Sequence, residues 1–85
     1  MESTKNVIEI VKLPDNKYGY EEHYYFQKAS IINGKTHIDI TGDIWDAVYF
    51  NEYNEEIKTW RDFVKAFFEN DYTVCITQIR LNYPL

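Results

Sequence analysis

Residues 30–40 read SIINGKTHIDI, two runs of strand-forming residues separated by Asn33-Gly34. Asn-Gly accepts the positive φ values of a two-residue type I′ turn, whose twist matches that of the flanking strands, so this stretch predicts a β-hairpin. A two-residue loop also fixes the register: Ile32 faces Lys35, Ser30 faces His37, Lys28 faces Asp39 and Phe26 faces Thr41. Alternation then assigns Tyr25, Ala29, Ile31, Thr36, Ile38 and Ile40 to a core face. Tyr24, Phe26, Lys28, Ser30, Lys35, His37 and Asp39 fall on the other, mostly polar face. Tyr24 and Phe26 thereby become candidates for a contact surface, being aromatic side chains rimmed by charge.

Toward the N-terminus, VIEIVKL (residues 7–13) is rich in β-branched residues and predicts a first strand, with residues 1–5 expected to be disordered. Pro14-Asp15-Asn16 and Gly19 mark the connection to the hairpin. Past the hairpin, residues 45–50 (Trp45 to Phe50) suit a strand, although Asp43 is also placed to cap a short helix there. NEYNEE, residues 51–56, reads as a polar turn. Thr59-Trp60-Arg61-Asp62 has the form of a capping box. Trp60, Phe63, Val64, Phe67 and Phe68 follow at spacings of three and four, predicting a helix through Glu69 whose broad aromatic face belongs to the core. YTVCITQIRLNY, residues 72–83, predicts a last strand, apolar on both sides and therefore central, ended by Pro84. The order β-β-β-(β)-α-β implies an α+β fold, an antiparallel sheet of four to five strands with one helix on a single face.

Eighty-five residues allow one small domain, spanning 1–85, with a single core. Aromatics at 18% of the chain supply large apolar areas for it. Cys75, the only cysteine, rules out an internal disulfide and reads as a small buried hydrophobe. No stretch has the roughly 20 apolar residues of a spanning helix, and residues 1–10 lack the parts of a signal peptide, so no membrane partner is expected. A cytoplasmic location follows, in a bacterium or a phage-infected host, since the abundance of Ile, Asn, Lys, Tyr and Phe over Ala, Gly and Pro fits an AT-rich genome.

Enzymatic chemistry finds little support. A Cys75–histidine dyad would need hydrogen-bond reach between residues that the register sends to different strands. His37 and Asp39 share a face but are too few to ligate a metal. Glu21 and Glu22 are neighbours and point opposite ways along a strand. Gly19, Gly34 and Gly42 are too dispersed to cradle a phosphate. The expectation is a non-enzymatic protein without catalytic residues, metal or cofactor.

Charge is the remaining signal. The net charge of −5 disfavours direct binding to nucleic acid, whose phosphates need clustered Lys and Arg. Residues 43–71 hold eight acids against three bases and so carry an excess equal to that of the whole chain. Asp43, Asp46, Glu52, Glu55, Glu56 and Asp62 are interleaved there with Trp45, Tyr49, Phe50 and Tyr53. Carboxylates steer toward a basic partner while tyrosines anchor at low entropic cost. The candidate partner-binding set is Asp43, Asp46, Tyr49, Glu52, Tyr53, Glu55 and Glu56, with Tyr24 and Phe26. The expected partner is a protein with a basic surface, a nuclease or another nucleic-acid-binding protein. An inhibitor of that kind resembles in action the proteins with which phages block host defence nucleases, anti-CRISPR proteins among them. An immunity protein against a bacterial toxin would use similar contacts, and a self-associating homodimer module is the alternative from another class.

Overall fold

The computed structural model describes residues 2–15, 18–68 and 70–82, and the fold is α+β. Among the described residues four strands, β1 (Glu2–Lys12), β2 (Glu22–Ile32), β3 (Lys35–Thr41) and β4 (Tyr72–Asn82), form one antiparallel sheet in the order β3-β2-β1-β4. A helix, α1 (Glu55–Lys65), precedes β4, and a single 3-10 turn, Ile44–Asp46, follows β3. Among the described residues no helix is long and apolar enough to cross a membrane.

The β2–β3 turn follows the local chemistry: Asn33 and Gly34 have φ of 52° and 78°, as a type I′ turn requires. From it the register runs as expected through Ile32↔Lys35, Ser30↔His37 and Lys28↔Asp39. It then shifts, because a β-bulge between Phe26 and Lys28 pairs Phe26 with Ile40 and Tyr25 with Thr41. One extra residue in one strand reverses every side chain beyond it. Phe26 therefore joins Ile38 and Ile40 on the helix-facing side and is 3% exposed, while Tyr25 moves to the opposite face.

The bulge also changes where Phe26's backbone points. Opposite Ile40, its carbonyl faces away from β3 and accepts the Val48 amide at 3.0 Å. Four residues of β2, Glu22 to Tyr25, pair with Lys12 to Glu9 of β1. Farther along, the segment after the 3-10 turn takes up pairing: Asn6 and Phe50 exchange N–H···O bonds of 2.8 Å. Thus residues 45–50 hold a 3-10 turn capped by Asp43 and one isolated bridge at Phe50 in place of the expected strand. Asp46–Ala47 cannot join a ladder while their amides bond back to Asp43 and Ile44 carbonyls.

Two further expectations are corrected. Residues 2–5 are ordered in β1, since β1 and β4 pair continuously from Glu2↔Asn82 to Lys12↔Tyr72. β4 is consequently an edge strand and β1 a central one. Apolar residues occur on both sides of β4 because Val74 packs under α1 while Leu81, on the other parity, is also buried at its far end. Met1, Asn16, Glu69, Tyr83 and Pro84, used above to delimit segments, lie outside the described residues.

The helix begins four residues before the capping box. Asn54 is its N-cap, accepting the Glu56 and Ile57 amides at 3.1 and 3.4 Å, and Glu55 and Glu56 sit favourably in the positive first turn. Thr59 lies inside the helix, its hydroxyl donating to the Glu55 carbonyl at 2.8 Å. Bonds from Phe67 N–H to Val64 O and Phe68 N–H to Lys65 O tighten the chain into a turn beyond Lys65. Ile57 and Val64 are fully buried against Ile8, Ile10 and Val74, each worth about 1.5–3 kcal/mol of transfer free energy.

Candidate functional site

The connector from Gly42 to Asn54 carries most of the expected partner-binding residues, and it is pinned at several points. Asp43 receives the Trp45 amide on its carboxylate at 2.9 Å, and the Thr41 hydroxyl receives the Asp43 amide at 3.1 Å. Tyr49 donates its hydroxyl to the Ile44 carbonyl at 2.9 Å. Val48 and Phe50 are tied to Phe26 and Asn6 as described, and Lys5 bonds the Asn51 side-chain oxygen. A connector held at these points has little backbone ordering entropy left to lose on binding.

Asp43, Asp46, Glu52, Tyr53, Glu55 and Glu56 are exposed. Tyr49 is half-buried, but with Glu52 and Glu56 it lines one cleft of ≈ 320 Å³ whose other walls are Phe50, Asn51 and Asn54. Asp43 and Asp46 belong to the 3-10 turn at the opposite end of the connector, which also displays Trp45 at 67% exposure. Tyr53 is 60% exposed and lies 5.3 Å from Lys58 Nζ, which also approaches Glu55 at 3.5 Å. Lys58 is thus a base drawn into this group, at a surface geometry worth little by itself.

Phe26 leaves the candidate set. Its ring stacks on Trp60 at 5.5 Å beneath the helix, a consequence of the bulge. Tyr24 shares that face, half-buried, with its hydroxyl donating to Glu22 at 3.3 Å. The Glu22 charge, then partial burial, pushes the Tyr24 phenol above its ordinary value.

Sequence reading missed a second apolar surface. Phe63 and Phe67, expected in the core, are 40% and 45% exposed, and Ile31 is 75% exposed. With Ala29, Thr36 and Trp60 they border a groove of ≈ 680 Å³ between α1 and the hairpin; of these, Phe67 is joined through its edge contact with Phe63 at 5.4 Å. The signal was present in the helix and the turn that follows it. Ile57, Val64 and Phe68 form one stripe, Trp60, Phe63 and Phe67 another, and a single sheet cannot cover both.

On the sheet face away from α1, Glu9 stands between β2 and β4. It accepts from the Thr77 hydroxyl at 3.1 Å and contacts His23 Nδ1 at 3.1 Å, with Cys75 Sγ at 3.9 Å. Burial raises the Cys75 thiol above its usual value; the Thr77 bond opposes this and Glu9 adds to it. Tyr25 is raised likewise, by burial first and then by Glu9. A thiol held protonated beside a carboxylate lacks the activation that a nucleophile needs. Among the described residues no group of three or more His, Cys, Asp or Glu is placed to hold a metal ion.

No protein-family model, curated protein or solved structure matches this chain.

Proposed function

We propose that this protein is a non-enzymatic acidic inhibitor that binds a partner protein through the connector and the first turn of α1, blocking a basic site where the partner would hold nucleic acid. The observation carrying this reading is the joint exposure of five carboxylates with Trp45 and Tyr53: Asp43, Asp46 and Glu52 on the pinned connector, and Glu55 and Glu56 in the first turn of α1 that follows it. Aromatic anchors beside acids are suited to a basic groove: the acids raise the encounter rate and the rings supply contact area once docked. A phage protein acting against a host defence nuclease fits this description in size, charge and residue balance.

The test is capture of bacterial lysate proteins on the immobilised chain, eluted with rising salt, beside a Glu52→Lys, Glu55→Lys, Glu56→Lys variant of confirmed fold. Specific captured proteins should be basic, should elute within about one order of magnitude of ionic strength above physiological, and should be lost from the variant. Equal retention by both forms removes the proposal.

A further inference from the structure

We propose that two copies of this chain associate through β3, pairing antiparallel about a two-fold axis at Ile38 to give a continuous eight-stranded sheet. β3 is the terminal strand of the sheet, seven residues long, without proline and with the bulge on its neighbour rather than on itself. Its direction of hydrogen bonding follows from the turn. In a hairpin with a two-residue loop the flanking pair, Ile32 and Lys35, is hydrogen-bonded, so Lys35, His37 and Asp39 turn their amides and carbonyls to β2. Those of Thr36, Ile38 and Ile40 therefore point out from the sheet edge, a template for another strand.

The sequence of that edge is complementary to itself. Only one two-fold register overlaps all seven residues, the one with Ile38 opposite Ile38 of the second copy. In it Thr36 meets Ile40, and their outward groups together with those of Ile38 form the new ladder. His37 meets Asp39 twice, at the non-hydrogen-bonded positions where side chains approach most closely. On that face the row across the junction reads Lys28, Asp39, then His37 and Ser30 of the second copy. The titratable groups facing the new pair are thus Lys28, already 3.7 Å from Asp39, and Lys35 at the strand's start. On the helix face Ala29 and Ile38 continue into their own mates, an apolar row with no polar interruption. The other edge offers no such match, since β4 contains a single charged residue, Arg80, and any self-pairing of it makes no ion pair.

Sedimentation equilibrium of the full chain up to about 1 mM tests the proposal, with a species of twice 10.3 kDa expected to grow by mass action. Thr36→Pro removes an outward amide without touching the β2–β3 ladder, and should raise the dimer Kd at least about tenfold while circular dichroism stays unchanged. His37→Asp sets like charges opposite each other and should also raise Kd by about tenfold. Asp39→Lys takes the carboxylate from both junction pairs and should also raise Kd by about tenfold; because it removes the Lys28–Asp39 pair within the hairpin as well, its circular dichroism is compared with that of the wild type. An equimolar mixture of His37→Asp with Asp39→Lys should then restore a dimer, now a heterodimer. In it the carboxylate introduced at position 37 of one chain meets the amine introduced at position 39 of the other, while the unaltered Asp39 and His37 meet as in the wild type. A wild-type chain that stays monomeric, a dimer indifferent to Thr36→Pro, or a mixture that fails to pair overturns it.

Discussion

At the scale of single residues, Phe26 shows how one position changes its role. Buried and stacked on Trp60, it holds the hairpin to the helix, and Phe26→Ala should cost about 3–5 kcal/mol in urea unfolding. Two other aromatics report on pH. Tyr24 and Tyr25 both keep their protons above the ordinary value of 10.0, through the Glu22 charge in one case and burial in the other. The unfolded chain loses these protons first as pH rises. Stability that is intact below pH 10.0 therefore declines as pH climbs through the folded values. A Tyr24→Phe, Tyr25→Phe variant should show a flatter decline than the wild type as pH rises above 10.0, measured by denaturant midpoints.

At the scale of elements, the start of α1 and the hairpin turn make separable predictions. Asn54→Ala should cost about 1 kcal/mol because two first-turn amides lose their acceptor, whereas Thr59→Ala should change stability by less than about 0.5 kcal/mol. Gly34→Ala forces a side chain to φ of 78° and should cost about 1–2 kcal/mol, read from thermal melts. These elements also mark what the chain discloses about itself. The hairpin was readable because Asn33-Gly34 satisfies a stringent backbone requirement that few other dipeptides meet. The helix was readable as an element, but Thr59 and Asp62 imitated its start, while Asn54 followed by Glu55, Glu56 and Ile57 was the genuine signal. The bulge at Gln27 has no local signature: it is decided by Phe26 gaining the helix side of the sheet and its carbonyl gaining Val48, both long-range contacts. With it went the placement of Tyr24 and Phe26. The acidic connector was legible as charge, since its carboxylates are exposed whichever local conformation they take. Its 3-10 turn and its bonds to Phe26 and Asn6 were not.

At the scale of the whole molecule, a flat body of 42 × 40 × 22 Å leaves much apolar surface open, from the groove beside Phe63 to Trp45 on the connector. Substituting Trp45 by Ala should leave stability within about 0.5 kcal/mol while reducing capture of basic lysate proteins, a separation of folding from binding that a core tryptophan would not give. The pairing of β1 with β4 has a kinetic meaning. Residues 60 positions apart at Lys12↔Tyr72, and 80 at Glu2↔Asn82, must meet before this ladder forms, whereas β2 and β3 need close only a two-residue loop. Contacts so distant along the chain are reached slowly. The hairpin is then the natural nucleus and the terminal ribbon the last part to zip: Val74→Ala should mainly hasten unfolding, and Ile38→Val should mainly retard refolding, in stopped-flow traces.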